Sequence, residues 1–170
     1  AFNGVELWRR PIDEWGWRAW SETWQRRFTI PTSIPKRLVA MDDRVYVTLN
    51  YNAAITELDA ATGAVLREFP GSGFADEILV TESRILAVLN HAPQQPGEES
   101  EPARKSVAAY GAESGEVLWK KGDYIGLQSK TGSMNPINHL SMVAGDGRIY
   151  FADRDRLICL SMEDGEEIWN

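Results

Sequence analysis

The feature that most constrains this chain is a short pattern that occurs four times. It consists of Gly, two variable residues, an aliphatic residue and then, in three of the four copies, Trp. The glycines of consecutive copies are 59, 52 and 50 residues apart. Self-similarity with a period of this size is typical of chains built from repeated structural units. The four copies begin at Gly4, Gly63, Gly115 and Gly165.

Each copy has the signature of a β-hairpin. A polar residue stands directly before the glycine, and an alternating, strand-like run precedes the last three copies. Glycine at the end of a short polar turn adopts positive φ without steric cost, and the chain then returns antiparallel to the preceding strand. We therefore predict positive φ for Gly63, Gly115 and Gly165, each in the turn between the third and fourth strands of a unit.

A second repeated element precedes each of these hairpins. Residues 39–49, 78–89 and 140–151 each consist of two apolar runs joined by a short polar turn. Each unit is thus two consecutive hairpins, and four short antiparallel strands are the pattern of one propeller blade. We predict an all-β fold: a partial β-propeller of about three four-stranded antiparallel blades, one strand of a preceding blade, and a short Trp-rich helical insertion.

We interpret the chain as a single partial propeller domain, residues 1–170, and as a piece of a longer protein. An unclosed run of blades leaves two apolar faces uncovered, so the isolated segment is expected to behave poorly in solution. The predicted segments are the last strand of a preceding blade (1–8), a Trp-rich insertion (9–35), a blade (36–69), a second blade (74–120) with a mobile loop (90–105), an inter-blade loop (121–138) and a third blade (139–170).

Two stretches resemble a known repeat. Residues 57–66 and 109–119 are similar to the repeat Ala-x-Asp-x-x-Thr-Gly-x-x-x-Trp of bacterial β-propellers of the pyrroloquinoline-quinone (PQQ) type, in which the Trp docks on the neighbouring blade. The resemblance implies that Trp8, Trp119 and Trp169 are largely buried at equivalent places on successive outer strands. The chain departs from the repeat at several positions: Glu57 and Cys159 replace Ala, Gly111 and Ser161 replace Asp, and Arg67 replaces the docking Trp with a weaker contact expected.

The resemblance leaves two classes of function open. One is a non-catalytic scaffold that binds a protein or ligand within a larger multi-blade bacterial protein and needs no cofactor. The alternative is part of a PQQ-dependent quinoprotein dehydrogenase, which would require PQQ, calcium with several oxygen ligands, and often a vicinal Cys pair. Cys159 is the only cysteine, and we assign no catalytic, cofactor-binding or metal-binding residue. The resemblance also favours a periplasmic or cell-envelope location.

Charge and hydropathy narrow the range of partners. A formal net charge of -7 and an isoelectric point near 4.9 argue against a nucleic-acid binder, which needs a basic face to neutralise phosphates. No apolar run approaches the roughly 20 residues that span a bilayer. The expected partners are the remaining propeller blades of the parent chain, and another protein or a glycan.

Aromatic residues are concentrated near the N-terminus, where five of the seven tryptophans lie within residues 8–24. Three of them are spaced i, i+3 and i+7, which places them on one face of a short helix. This face either packs on the propeller or forms an exposed aromatic platform for a glycan, peptide or partner protein, and burial decides between the two. The candidate interaction surface is Trp17, Trp20 and Trp24 with Arg18 and Arg26.

Overall fold

The computed structural model describes residues 4–12, 34–50, 52–91, 104–129 and 137–169. A single 3-10 turn at Ile34–Arg37 precedes a succession of β-strands. The strands are β1 (Leu38–Met41), β2 (Arg44–Thr48), β3 (Ile55–Asp59), β4 (Val65–Glu68), β5 (Ala75–Val80), β6 (Arg84–Asn90), β7 (Lys105–Gly111), β8 (Val117–Tyr124), β9 (Leu127–Ser129), β10 (Ile137–His139), β11 (Met142–Gly145), β12 (Arg148–Asp153), β13 (Arg156–Ser161) and β14 (Glu167–Trp169).

Twelve of these strands form three four-stranded sheets. Their orders are β1-β2-β3-β4, β5-β6-β7-β8 and β11-β12-β13-β14, and all neighbours are antiparallel. We call them blade 1, blade 2 and blade 3. The first strands pack side by side, β1 against β5 and β5 against β11, so they line the inner edge of the assembly. The predicted all-β partial propeller is therefore confirmed.

The core lies between the blades. One apolar cluster joins blades 1 and 2 around Tyr46, Phe69 and Tyr110, and a second joins blades 2 and 3 around Trp119 and Phe151. Successive side chains of a strand point to opposite sheet faces. Because blade 2 is covered on both faces, all of β7 and nearly all of β6 are buried. This explains why the two central strands read as continuous apolar runs.

The connections divide the propeller into two faces. The turn face carries the β1–β2 and β3–β4 turns and their equivalents in the other blades. The opposite face, which we call the insertion face, is where β1, β5 and β11 begin. β6 ends and β7 begins at this face, and the described segments that start at Ile34 and Ile137 lead into β1 and β11.

Two segments differ from their predicted form. Residues 121–138, expected as a loop, contain the end of β8 and the β9–β10 ladder, which a run without clear alternation does not reveal. Asp153 stabilises the start of this hairpin, because its Oδ1 accepts the N–H groups of Ile125 (2.6 Å) and Gly126 (2.7 Å). Residues 4–8, expected as part of the last strand of a preceding blade, are not a strand of any of the described sheets.

Candidate functional site

The three blade turns share one hydrogen-bonding scheme. Gly63, Gly115 and Gly165 have φ of 70°, 73° and 71°, in the left-handed region that the hairpin pattern predicts. The N–H of each glycine donates to the carbonyl four residues earlier, at 2.8, 2.8 and 2.9 Å. A side-chain oxygen of the preceding residue accepts the N–H of the following one, at 3.3, 3.2 and 3.0 Å. The turns are therefore structurally equivalent despite their different sequences.

Only blade 1 has an aspartate at the Asp position of the repeat. Asp59 Oδ1 accepts the Thr62 hydroxyl at 2.7 Å and the Thr62 N–H at 2.8 Å, and these hydrogen bonds lower the pKa of Asp59. In blade 2 a Cβ at Gly111 would collide with Ser114 Oγ, so an Asp does not fit there without a shift of that serine. The exposed turn tolerates this loss because the backbone bonds remain.

Each turn also forms a seat for a side chain, which in blades 2 and 3 comes from the outer strand of the preceding blade. Trp119 of blade 2 lies directly on Gly165 of blade 3. A Cβ added to Gly165 would be only 2.6 Å from Cε3 of the indole. Its Nε1 donates to the Met162 carbonyl at 3.0 Å, and the side chain is buried. Trp8 repeats this arrangement on blade 1, where it is half-buried and a Cβ at Gly63 would lie 2.6 Å from Cδ2.

The prediction that Trp169 is largely buried is wrong. Trp169 is 44% exposed. This is so although Trp169 pairs with Cys159 in the same register in which Trp119 pairs with Ala109. The difference has a simple cause: blade 3 covers Trp119, whereas no sheet among the described residues packs on that face of blade 3. The ring of Trp169 contacts Tyr150 of its own blade, with centroids 6.1 Å apart.

Arg67 takes the seat on blade 2 that Trp takes elsewhere. A Cβ added to Gly115 would lie 3.1 Å from Cδ of Arg67. The Arg67 Nη1 donates to the Glu113 carbonyl across the blade boundary. Within blade 1, Arg67 Nε lies 2.6 Å from Oε2 of Glu57, its register partner. The departures at 57 and 67 thus form one ionic pair in place of the Ala–Trp pair of blade 2.

A second arginine completes this pair. Arg44 Nε lies 2.9 Å from Glu57 Oε1, so the nearly buried carboxylate is bridged on both oxygens. A register shift between residues 57 and 58 recurs at 109/110 and 159/160, directly beside each docking pair. A bulge re-aims the neighbouring side chain, which is consistent with outer-strand residues that reach the next blade.

The described residues contain a second polar centre, a buried ion network at the insertion face. Asp76 lies at a register shift of β5, and its Oδ1 is 3.0 Å from Nη2 of Arg37, the last residue of the 3-10 turn before blade 1. Its Oδ2 is 2.5 Å from Lys105 Nζ and accepts Asn90 Nδ2 at 3.3 Å. Charges this deeply buried are costly unless paired, and here one carboxylate serves two cations.

The next residue extends the network to blade 3. Glu77 Oε2 accepts the Met142 N–H at 2.9 Å, and its Oε1 accepts the Ser141 hydroxyl at 3.2 Å. Lys36, from the 3-10 turn before blade 1, lies 3.2 Å from Glu77 Oε1 and donates to Ser141. Asp76 and Glu77 together therefore connect all three blades at their inner edge.

Two histidines flank this network. Burial lowers the pKa of His139, and the nearby Lys105 ammonium lowers it further. Burial likewise lowers the pKa of His91, whose Nε2 contacts the hydroxyl of buried Ser106. Both shifts favour the neutral imidazole, so the positive charges of the network are those of Lys36, Arg37 and Lys105, which face the carboxylates of Asp76 and Glu77.

These residues do not fit the calcium and quinone site of the alternative reading. Calcium needs about six to eight oxygen ligands around one point. Both oxygens of Asp76 are already in contact with cations, and Glu77 is held by Lys36 and two hydrogen-bond donors. Among the described residues no group of three or more His, Cys, Asp and Glu side chains is placed to hold a metal ion.

The candidate interaction surface falls in a part of the chain that the structure does not describe. Trp17, Trp20, Trp24, Arg18 and Arg26 all lie outside the described residues. Sequence reasoning missed the buried ion network, whose only local signal is the acidic pair 76–77 inside an otherwise apolar strand. Across the described ranges no helix is long and apolar enough to cross a membrane.

One family match agrees with the repeat pattern in the C-terminal part of the chain. A PQQ-type family, described as outer membrane protein assembly factor BamB, matches residues 103–170. The chain is similar to a quinohemoprotein alcohol dehydrogenase from Pseudomonas putida, with 13% identity and a TM-score of 0.48, over 78% of this chain and 25% of that chain. It is also similar to BamB from Moraxella catarrhalis, with 18% identity and a TM-score of 0.45, over 78% of this chain and 38% of that chain. No curated protein sequence matches.

The fold and the turns define the class of protein. Three antiparallel four-stranded blades with equivalent glycine turns form part of a β-propeller. The repeats within residues 103–170 are similar to those of the PQQ-type family. The chain spans about a quarter and about two fifths of the two solved proteins to which it is similar.

Proposed function

We propose that this chain is a non-catalytic propeller scaffold of a larger bacterial protein, and that it binds another protein at the insertion face. The single observation that carries the proposal is the three-blade ion network at that face. A buried network with paired charges fixes the relative positions of the strand ends. Binding residues are commonly carried on connections that a rigid scaffold holds in place.

The chemistry of the connections supports the same face. Residues 13–33 lead into the 3-10 turn whose Lys36 and Arg37 contact Glu77 and Asp76. This segment contains Trp17, Trp20 and Trp24 with Arg18 and Arg26, and Trp and Arg are the residue types enriched at binding hot spots. We propose these five residues as the main contact with the partner.

Affinity capture with matched variants tests this function. The immobilised full-length parent protein is exposed to an extract of its native cells, and retained proteins are identified by mass spectrometry. We expect one protein to be retained by the parent and by Trp169→Ala, and lost with the triple variant W17A/W20A/W24A at an unchanged melting temperature. Equal retention by the triple variant, or no specific retention by the parent, would contradict the proposal.

A further inference from the structure

Phe74 has a backbone conformation that is costly for its residue type. Its φ is 60°, in the left-handed region, where a bulky side chain is a genuine outlier. Among the described residues, the other non-glycine residues with positive φ are Arg154 and three aspartates, a residue type that tolerates this region. Phe74 is therefore the one aromatic residue in that part of the chain that is held in this way.

The contacts on either side of Phe74 explain how the conformation is maintained. Before it, Ser72 is fully buried, and its Oγ accepts the Ile55 N–H of blade 1 at 2.8 Å. After it, Asp76 is fixed by the ion network, and the Phe74 carbonyl itself accepts the Asn90 N–H of blade 2 at 3.0 Å. The chain is thus attached to both blades within a few residues. Backbone strain persists where the surroundings over-determine it, and it is concentrated at functional sites.

The ring of Phe74 does not belong to the core. It is half-buried and is a member of neither apolar cluster of the described residues. It lies directly before Ala75, the first residue of β5, and so at the insertion face. Glycine would adopt the same φ without steric cost. The protein therefore has a phenylalanine where glycine would suit the backbone better.

The charge near this end of β5 is positive. The ion network contains three cations and two carboxylates, which are Lys36, Arg37 and Lys105 with Asp76 and Glu77. The Lys36 side chain is 41% exposed, whereas those of the other four are at most 12% exposed. Lys36 contacts Glu77, which is three residues after Phe74. The insertion face thus presents an ammonium group and an aromatic ring near the same strand end.

We propose that Phe74 and Lys36 are contact residues for the partner protein, and that the partner presents an apolar side chain next to a carboxylate. This inference rests on the proposed function, because it concerns the same face. The apolar side chain covers the ring, and the carboxylate pairs with the cation that the network leaves in excess. Aromatic residues are enriched at the centre of protein interfaces, and complementary charges select the partner.

Urea unfolding tests whether the ring is needed for the fold. Phe74→Gly and Phe74→Ala both remove the ring, but only glycine relieves the backbone. We expect Phe74→Gly to unfold at a urea midpoint no lower than that of the parent, and Phe74→Ala to unfold at a lower midpoint than Phe74→Gly. A Phe74→Gly midpoint well below that of the parent would show that the ring stabilises the fold, and it would overturn the proposal.

Site-specific photocrosslinking in the native cells tests the contact itself. The full-length parent protein carries a benzophenone side chain at position 74 or, as the matched control, at position 118 on the outer strand of blade 2, where Leu118 is 43% exposed. We expect a protein adduct from position 74 only, with Asp or Glu close to the apolar attachment site in the partner. Lys36→Gln should reduce the adduct about threefold or more, and Lys36→Arg should retain it.

The outcomes distinguish this inference from the proposed function. If affinity capture retains a partner that the tryptophan triple variant loses, but position 74 gives no protein adduct, this inference alone fails. It also fails if the adduct is equally strong from position 118, is insensitive to Lys36→Gln, or contains lipid or glycan instead of protein. If affinity capture retains no protein, the proposed function fails together with this inference.

Discussion

The ionic pair between Glu57 and Arg67 can be exchanged for the aromatic pair of the next blade. In blade 2 the same register positions hold Ala109 and Trp119. The variant E57A/R67W therefore copies a solution that the protein already uses one blade further along. We expect this double variant to be at least as stable as the parent, although both single variants are destabilised.

The burial of the two partners sets the size of the effect. The Glu57 side chain is 3% exposed, and breaking a buried ion pair typically costs about 3–5 kcal/mol. Arg67 is 35% exposed, and Arg44 still contacts the carboxylate after its loss, so we expect R67W alone to cost about 1–3 kcal/mol. E57A leaves Arg67 with the Glu113 carbonyl and should cost about 1–2 kcal/mol.

Urea unfolding followed by far-UV circular dichroism measures all four members of the cycle without interference from the added indole. We expect a coupling energy of at least about 2 kcal/mol between positions 57 and 67. The control is Glu6→Ala, which breaks the exposed pair with Arg9 at 2.7 Å and should change stability by less than about 1 kcal/mol. If the two single effects simply add in the double variant, the two departures from the repeat are independent and our reasoning is refuted.

Three further changes test the turns and the core. Gly165→Ala should destabilise the protein by clearly more than Gly71→Ala, because both glycines have φ near 70° but only a Cβ at Gly165 would meet an indole. Equal urea midpoints for the two variants would contradict the close packing of Trp119 on Gly165. Trp119→Ala should cost about 3–5 kcal/mol and Trp169→Ala much less in thermal melts of dilute protein, and similar losses would contradict the difference in burial. Burial raises the pKa of Tyr110 to about 12, against about 10 in the unfolded chain, so the stability of the protein should fall as the pH rises from about 10 to 12. The variant Tyr110→Phe should reduce that fall. A variant whose urea midpoint depends on pH as the parent's does would contradict this reasoning.

The blade pattern could be predicted because it depends on local chemistry. A turn that needs positive φ selects glycine, and the flanking alternation follows from the two faces of a strand. Gly63, Gly115 and Gly165 have the φ angles that this reasoning requires. The neighbours along the chain are enough for such an inference, so the strands and their order were accessible from the sequence.

The ion network and the exposure of Trp169 could not be predicted in the same way. Asp76 meets cations that are 39 residues before it and 29 residues after it, and no spacing in the sequence marks such a contact. Trp169 has the same local sequence context as Trp119, but burial depends on what packs against the residue. Glu57 and Arg67 were visible only as separate departures, and their register pairing makes them one feature.

The two seams between the blades respond to different solution conditions. The outer rim between blades 1 and 2 is joined by Arg67 with its partly exposed charges, whereas the rim between blades 2 and 3 is joined by the buried indole of Trp119. Salt screens exposed charges and leaves apolar contacts in place. At high ionic strength, amide hydrogen exchange at the outer rim should therefore quicken first where blade 1 meets blade 2, while the apolar cluster around Tyr46, Phe69 and Tyr110 keeps these blades joined at their core.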